Sequence, residues 1–201
     1  MGLILKHFID KNEAISFDIF DTLIERTVLS PLDIFSIAGG TVLGEDGAER
    51  FLTDRKQAER IARKDAQNGE VTLDEIYACL PTAYGDMKET LKLAEIQTEF
   101  DCCKRKIGMT DVYQYAITSG KDVYLISDMY LPQKTIEEML SKCGISGYGK
   151  CYISCEKRCN KISGELFKVV ISENGINSSK MLHIGDSIKA DYKGAKIAGI
   201  K

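Results

Sequence analysis

The sequence predicts an α/β fold, a parallel sheet interrupted by one all-helical insert. Three observations carry this. Short apolar and β-branched runs recur along the chain, and helix-like stretches separate them, which is the pattern of a parallel sheet. The stretch 30–106 breaks the alternation: it is rich in Glu, Lys, Arg and Ala and has helical periodicity throughout. The length of 201 residues suits one domain, or a core with a smaller insert.

The first run, Ala-Ile-Ser-Phe-Asp-Ile-Phe over 14–20, reads as a short buried strand. Runs at 122–127, 150–154 and 181–185 repeat the pattern. The α/β core therefore comprises 1–29 and 107–201, and the helical insert 30–106. Within the insert, Ser30-Pro31 predicts an N-cap followed by proline at the first helical position. Thr72-Leu73-Asp74-Glu75 has the form of a capping box leading into Ile76-Tyr77. Leu93, Ile96, Phe100, Cys103 and Ile107 recur at three- and four-residue steps and predict one apolar helix face. Phe51, Arg55, Ala58 and Ala62 form a weaker stripe. Near the end, Ile188, Tyr192, Ala195 and Ala198 predict a core-facing helix. No internal repeat or low-complexity tract is present.

Composition narrows the function classes. Lys+Arg number 27 and Asp+Glu 30, a net charge of −3, so the basic excess of a nucleic-acid binder is missing. No apolar run approaches the roughly 20 residues of a membrane span. Lys6, His7 and Asp10 interrupt the opening stretch, which argues against a signal peptide. Lys6 stands where a myristoylation motif wants Ser or Thr. The seven cysteines are odd in number. Cys151, Cys155 and Cys159 have no accompanying histidine, so reduced thiols and a cytoplasmic location are expected.

The candidate chemistry collects at strand ends. Asp18, Asp21 and Thr22 follow the first strand, and Ser127-Asp128 ends the second. Lys161 lies in a loop after the third, with Lys157 as its rival. Asp186 follows the fourth, with Asp191 a few residues on. The C-terminal edge of a parallel sheet is where α/β proteins hold ligands. Clustered carboxylates need a cation, and Mg²⁺ prefers hard oxygen ligands. A lysine and a metal together neutralise a transferring phosphoryl group, and a carboxylate can attack phosphorus. Taken singly, these residues have plainer readings. Asp21 could cap a turn, Ser127 a helix, and Asp191 would suit the first turn of a helix. His7 and His183 have no metal-ligand spacing, and His183 reads as structural.

In that order, the motifs Phe17-Asp18-Ile19-Phe20-Asp21-Thr22-Leu23, Ser127-Asp128, Lys161-Ile162-Ser163-Gly164-Glu165-Leu166-Phe167 and Gly185-Asp186-Ser187 resemble the haloacid dehalogenase (HAD) superfamily of phosphohydrolases. The resemblance spans the whole chain and implies a Rossmann-like parallel sheet, with 30–106 as the family's helical cap. It implies Asp18 as nucleophile, Thr22 as the threonine that orders its loop, and Ser127 and Lys161 as phosphate-binding groups. It implies Mg²⁺ held by Asp18, the Phe20 carbonyl, Asp186 and Asp191, with Asp191 orienting a water or the lysine. The expected substrate is a phosphorylated small molecule, hydrolysed through an aspartyl-phosphate.

One departure matters. Family phosphatases read Asp-x-Asp-Gly-Thr, and their second Asp is the general acid/base. Here Phe20 occupies that position and Asp21 replaces the glycine, leaving Asp21 or Asp128 as substitutes. An aromatic residue at this position also occurs in the family's metal-independent dehalogenases. Dehalogenation and a non-catalytic phospholigand-binding module are therefore the rival readings. Phe17–Leu23 and Ser127–Leu131 are similar to a subset found with glycosyltransferase or polysaccharide-related proteins. Family cores add a further strand after the last helix. The 181–185 strand is therefore expected to form an exposed sheet edge, covered by a downstream segment of a longer chain or by another chain.

Overall fold

Apolar residues alternate between the two faces of the strands, and that alternation builds the core. The computed structural model describes residues 2–66 and 68–201. Its strands are β1 (Ala14–Phe17), β2 (Ile24–Arg26), β3 (Cys103–Arg105), β4 (Asp122–Ser127), β5 (Lys150–Ile153) and β6 (Met181–Ile184). Four of them make a parallel sheet in the order β5-β4-β1-β6, while β2 and β3 pair antiparallel as a separate ribbon. Ala14 stands opposite Asp122 and Met181, and Phe17 opposite Leu125 and Ile184, so β1 is flanked on both sides. Ile15, Phe17 and Leu125 point into one apolar cluster, and Ala14, Tyr124 and Ile126 into another. Each large apolar side chain so buried contributes about 1.5–3 kcal/mol.

Helix α1 (Gly2–Asp10) precedes the sheet. The insert contains α2 (Asp33–Leu43), α3 (Glu45–Asp65), α4 (Leu73–Ala78) and α5 (Met87–Cys102). The core adds α6 (Ile107–Thr118), α7 (Gln133–Lys142), α8 (Ser154–Lys157), α9 (Glu165–Asn174) and α10 (Gly194–Ile197). A π-helical turn, Ile188–Lys193, runs into α10. The capping box predicted at Thr72 and Glu75 forms with both of its bonds.

Several elements depart from the sequence reading. The first strand stops at Phe17, because the chain folds back so that the Leu23 and Ile24 N–H groups both donate to the Ile19 carbonyl. Phe20 pairs only in an isolated bridge with Ile24. Helix α2 begins at Asp33, since the Asp33 carboxylate accepts from the Ser30 N–H at 2.9 Å and Pro31 lies in the turn before it.

The predicted apolar face of Leu93, Ile96, Phe100, Cys103 and Ile107 is not one helix face. α5 ends at Cys102, and Leu93 and Ile107 are exposed. The buried residues of α5 are Leu91, Glu95, Thr98 and Glu99, because the insert's interior is partly ionic. Arg55 grips Glu95 with two bonds of 2.8 Å, and Arg26 grips Glu99 likewise. The weaker stripe is the accurate one: Phe51, Arg55, Ala58 and Ala62 are the buried residues of α3.

At the C-terminal end the π turn changes the register. Asp191 and Ala195 face inward, and Ile188 and Tyr192 are exposed. Among the described residues strand β6 pairs with β1 alone, and on its other side the Lys201 N–H donates to the Met181 carbonyl at 3.3 Å.

Candidate active site

Asp18 leaves the sheet directly after β1, and its N–H donates to the Ile184 carbonyl on β6 at 2.9 Å. Its side chain is therefore held between two strand ends, buried at the C-terminal edge. One carboxylate oxygen accepts from Lys161 Nζ at 2.5 Å, the other from the Thr22 hydroxyl at 3.3 Å. The Lys161 ammonium also donates to Asp191 Oδ1 at 2.6 Å. Asp191 Oδ2 accepts the Ser187 N–H at 2.8 Å, and its Oδ1 lies 3.0 Å from His183 Nε2. The other ring nitrogen of His183 is 2.8 Å from the Ser16 hydroxyl.

Asp191 is an acceptor only, so Nε2 of His183 carries a proton and donates it, and the Ser16 hydroxyl donates to Nδ1. Burial lowers the basicity of His183, which fits this neutral tautomer. Burial also pushes Asp18 up to about 6, against the pull of Lys161. Burial acts upward on Asp191 too, but His183 and Lys161 outweigh it and hold that carboxyl well below the usual range. Lys161 is raised, because its two carboxylate partners overcome burial.

Two glycines make this packing feasible. A Cβ on Gly194 would lie 1.9 Å from the Lys161 carbonyl, and one on Gly185 would lie 2.3 Å from Asp191. The loop carrying Lys161 is held from below by Asp128, whose carboxylate accepts the Lys161 backbone N–H at 2.9 Å. Burial raises Asp128 to about 6. Ser127 is buried at the end of β4.

Asp21 has φ +58°, the left-handed region that glycine otherwise serves and that Asp tolerates. Its side chain is exposed, and its carbonyl accepts from Lys106 Nζ. The Phe20 ring lies under the Arg26 guanidinium at 4.6 Å. Lys157 pairs with Glu173 at the surface, away from this cluster, whereas Lys161 is buried within it.

Asp18, Asp186 and Asp191 offer carboxylate oxygens that all lie within 4.8 Å of one another. Three carboxylates there face one ammonium, and a divalent cation would balance that excess. The donors are hard oxygens, and Asp186 is exposed, so the residues fit Mg²⁺.

Sequence reasoning did not find the Ser16–His183–Asp191 chain. Ser16 and His183 are 167 residues apart and meet only because β1 and β6 are neighbours. The one available signal was a histidine amid the apolar residues of a strand.

No protein-family model matches the chain, and no curated protein does. Solved structures do. A Bacillus subtilis protein described as a HAD-hydrolase and bound to magnesium aligns with a TM-score of 0.64 at 19% identity, covering 95% of this chain and 87% of that one. A 2-haloacid dehalogenase from Pseudomonas syringae pv. Tomato DC3000 aligns at 0.66 and 15% identity, covering 94% and 84%. A Thermotoga maritima protein described as a beta-phosphoglucomutase aligns at 0.62 and 16%, covering 94% and 82%. The chain has a HAD-like fold, an α/β core with a Rossmann-type parallel sheet.

Proposed function

We propose that the chain is a Mg²⁺-dependent phosphohydrolase of small phosphorylated molecules that works through an aspartyl-phosphate on Asp18. The observation that carries this is the Asp18 carboxylate, held between the Thr22 hydroxyl and the Lys161 ammonium within reach of Asp186 and Asp191. Asp18 would attack phosphorus, and water would then hydrolyse the acyl phosphate. Lys161 and the Ser127 hydroxyl would hold the phosphoryl oxygens and balance their charge. Asp18, Asp186 and the Phe20 carbonyl would hold Mg²⁺, which supplies Lewis-acid charge withdrawal when bound. Asp191 acts chiefly as the positioning residue of Lys161, since its oxygens already accept from Lys161, His183 and Ser187.

The weak point of the machinery is proton delivery. Phe20 supplies no acid, and the Asp128 carboxylate is engaged with a backbone N–H. General acid help is worth about 10²–10⁴-fold, so turnover of alkyl phosphates would be slow by that order. An aryl phosphate loses its leaving group without a proton and is the fitting probe. The likeness of Phe17–Leu23 and Ser127–Leu131 to polysaccharide-related chains bears on context and not on substrate.

A second reading rests on Phe20, the aromatic residue in the acid position: metal-independent dehalogenation of a small haloacid. One assay panel decides. Mg²⁺-dependent release of nitrophenol from p-nitrophenyl phosphate, lost in Asp18→Asn with the melting temperature retained, supports the phosphohydrolase. Halide release in the presence of chelator supports the dehalogenase. Thermal stabilisation by Mg²⁺ and phosphate without turnover leaves a binding module.

A further inference from the structure

Away from the site, two buried thiols face each other where the insert rejoins the core. Cys103 opens β3, the strand by which the chain leaves the insert, and Cys143 caps α7 in the core. Their Sγ atoms are 3.3 Å apart, and both residues belong to the main apolar cluster. A disulfide needs about 2.0 Å between sulfurs, so an approach of roughly 1.3 Å would close it.

The two elements are already held side by side. The Arg105 guanidinium donates to the carbonyls of Cys143 and Gly144, at 2.6 Å each. Lys142 Nζ reaches the carbonyls of Phe100 and Asp101 at the end of α5. Among the described residues, Cys103 and Cys143 are the one pair of thiols in hydrogen-bond contact.

We propose that Cys103 and Cys143 are a redox pair that a peroxide converts into a disulfide, tying the insert's return strand to the core. The Cys143 sulfur, as thiolate, attacks one peroxide oxygen. The O–O bond breaks, and the departing hydroxide takes up a proton as water, leaving a sulfenic acid. The Cys103 sulfur then displaces the sulfenic hydroxyl, which leaves as a second water while the S–S bond forms. The two thiol protons end in water, and the peroxide takes the two electrons. Burial pushes the Cys103 thiol up, which disfavours it as the attacking thiolate and leaves the first step to Cys143, while its 3.3 Å contact places it to capture the sulfenic acid.

The link has a local consequence. Cys103 stands opposite Arg26 in the β2–β3 ribbon, and Arg26 stacks on Phe20. Oxidation would therefore fix the ribbon that abuts the candidate site. The covalent part of the proposal holds whatever reaction the site performs.

The test is a thiol map. The native chain is treated with hydrogen peroxide, free thiols are blocked with iodoacetamide in denaturant, and the chain is digested without reduction. The expected product is a linked Cys103–Cys143 peptide pair, lighter by two hydrogens, that dithiothreitol releases. Cys143→Ser should abolish it, and Cys102→Ser should leave it intact. The oxidised wild type should melt above the reduced form, since the cross-link restricts the unfolded chain. Oxidation to sulfinic acids with no linked peptide would overturn the proposal. So would a dominant Cys102–Cys143 link, and so would a Cys103–Cys143 link that leaves the melting temperature unchanged.

Discussion

Asp186 and Asp191 have different surroundings, and their replacements separate two roles. Asp191 is buried and accepts from Lys161, His183 and the Ser187 N–H, whereas Asp186 is exposed. Asp186→Ala should weaken Mg²⁺ binding at little change in melting temperature. Asp191→Ala leaves buried Lys161 with Asp18 as its carboxylate partner and the His183 Nε2–H without an acceptor, and should cost about 1–3 kcal/mol. Urea unfolding beside a metal titration checks the pair, and equal effects on both readouts would contradict it.

Asp18 sets a pH dependence. It titrates near 3.8 unfolded and at about 6 in the fold. Between those values the folded state binds more protons, so this group's contribution to stability falls as pH rises through the window. Asp128, also raised to about 6 by burial, adds to the same fall, and Asp191 is ionised in both states only above about pH 5. Thermal stabilisation by Mg²⁺ should therefore grow between about pH 5 and pH 7. Melts of wild type and Asp18→Asn would show the rise in the first and a flat response in the second. Asp18, Ser127 and Asp186 were singled out in the sequence because each stands at the end of a readable strand, whereas Lys161, beyond β5 and α8, was singled out only by the motif that it opens. Of the partners of Asp191, the lysine was expected and His183 was not, because His183 meets it across a π turn whose register apolar spacing does not reveal.

Among the elements, α3 and α5 are joined by charge as much as by apolar packing. Arg55 is fully buried, pairs with Glu95, and has the rings of Phe35 and Tyr130 at 4.5 and 4.9 Å. The Tyr77 hydroxyl donates to the same Glu95 at 2.7 Å. Arg55→Ala leaves Glu95 charged and buried without its partner, and should cost about 3–5 kcal/mol. An Arg55→Met, Glu95→Leu double variant should recover most of that in the same denaturation assay, because it leaves no unpaired charge. This ionic interior explains the misread face of α5. Periodicity counts apolar residues, and here the inward positions include Glu95 and Glu99. The β2–β3 ribbon escaped notice for another reason: three-residue strands carry almost no alternation signal.

Across the whole molecule, insert and core meet around Arg158, a core residue held at φ +55°. It donates to the Glu75 carboxylate at 2.7 Å and to the Glu70 carbonyl at 3.2 Å, and its own carbonyl accepts from Asn68 at 3.1 Å. Its hydrogen bond holds Glu75 down at about 2. The pair is half exposed, so its removal should cost at most about 1 kcal/mol of global stability. Its effect should be local, on the segment that it holds. Arg158→Ala should leave the unfolding midpoint nearly unmoved while limited proteolysis at 68–72 accelerates several-fold. Unchanged cleavage would mean that the insert is held elsewhere. The fold class was legible, because strand runs and helical texture are local signals. This clasp was not, because nothing near Arg158 in sequence names Glu75.

The stack of Phe20 beneath Arg26 has a consequence for replacing that phenylalanine. A carboxylate at position 20 would sit beside a guanidinium, which favours its ionised form and makes it a poor proton donor. Phe20→Asp alone should therefore raise alkyl phosphate turnover by well under the roughly 10²-fold that a competent acid provides. Phe20→Asp joined with Arg26→Gln should exceed it in steady-state assays. Arg26 is in turn bound to Glu99, so that second change also strands a buried carboxylate. Position 20 is thus epistatically tied to 26 and 99. An acid placed here would therefore need matching changes in the ribbon and the insert along with the loop, and the single replacement alone would gain little.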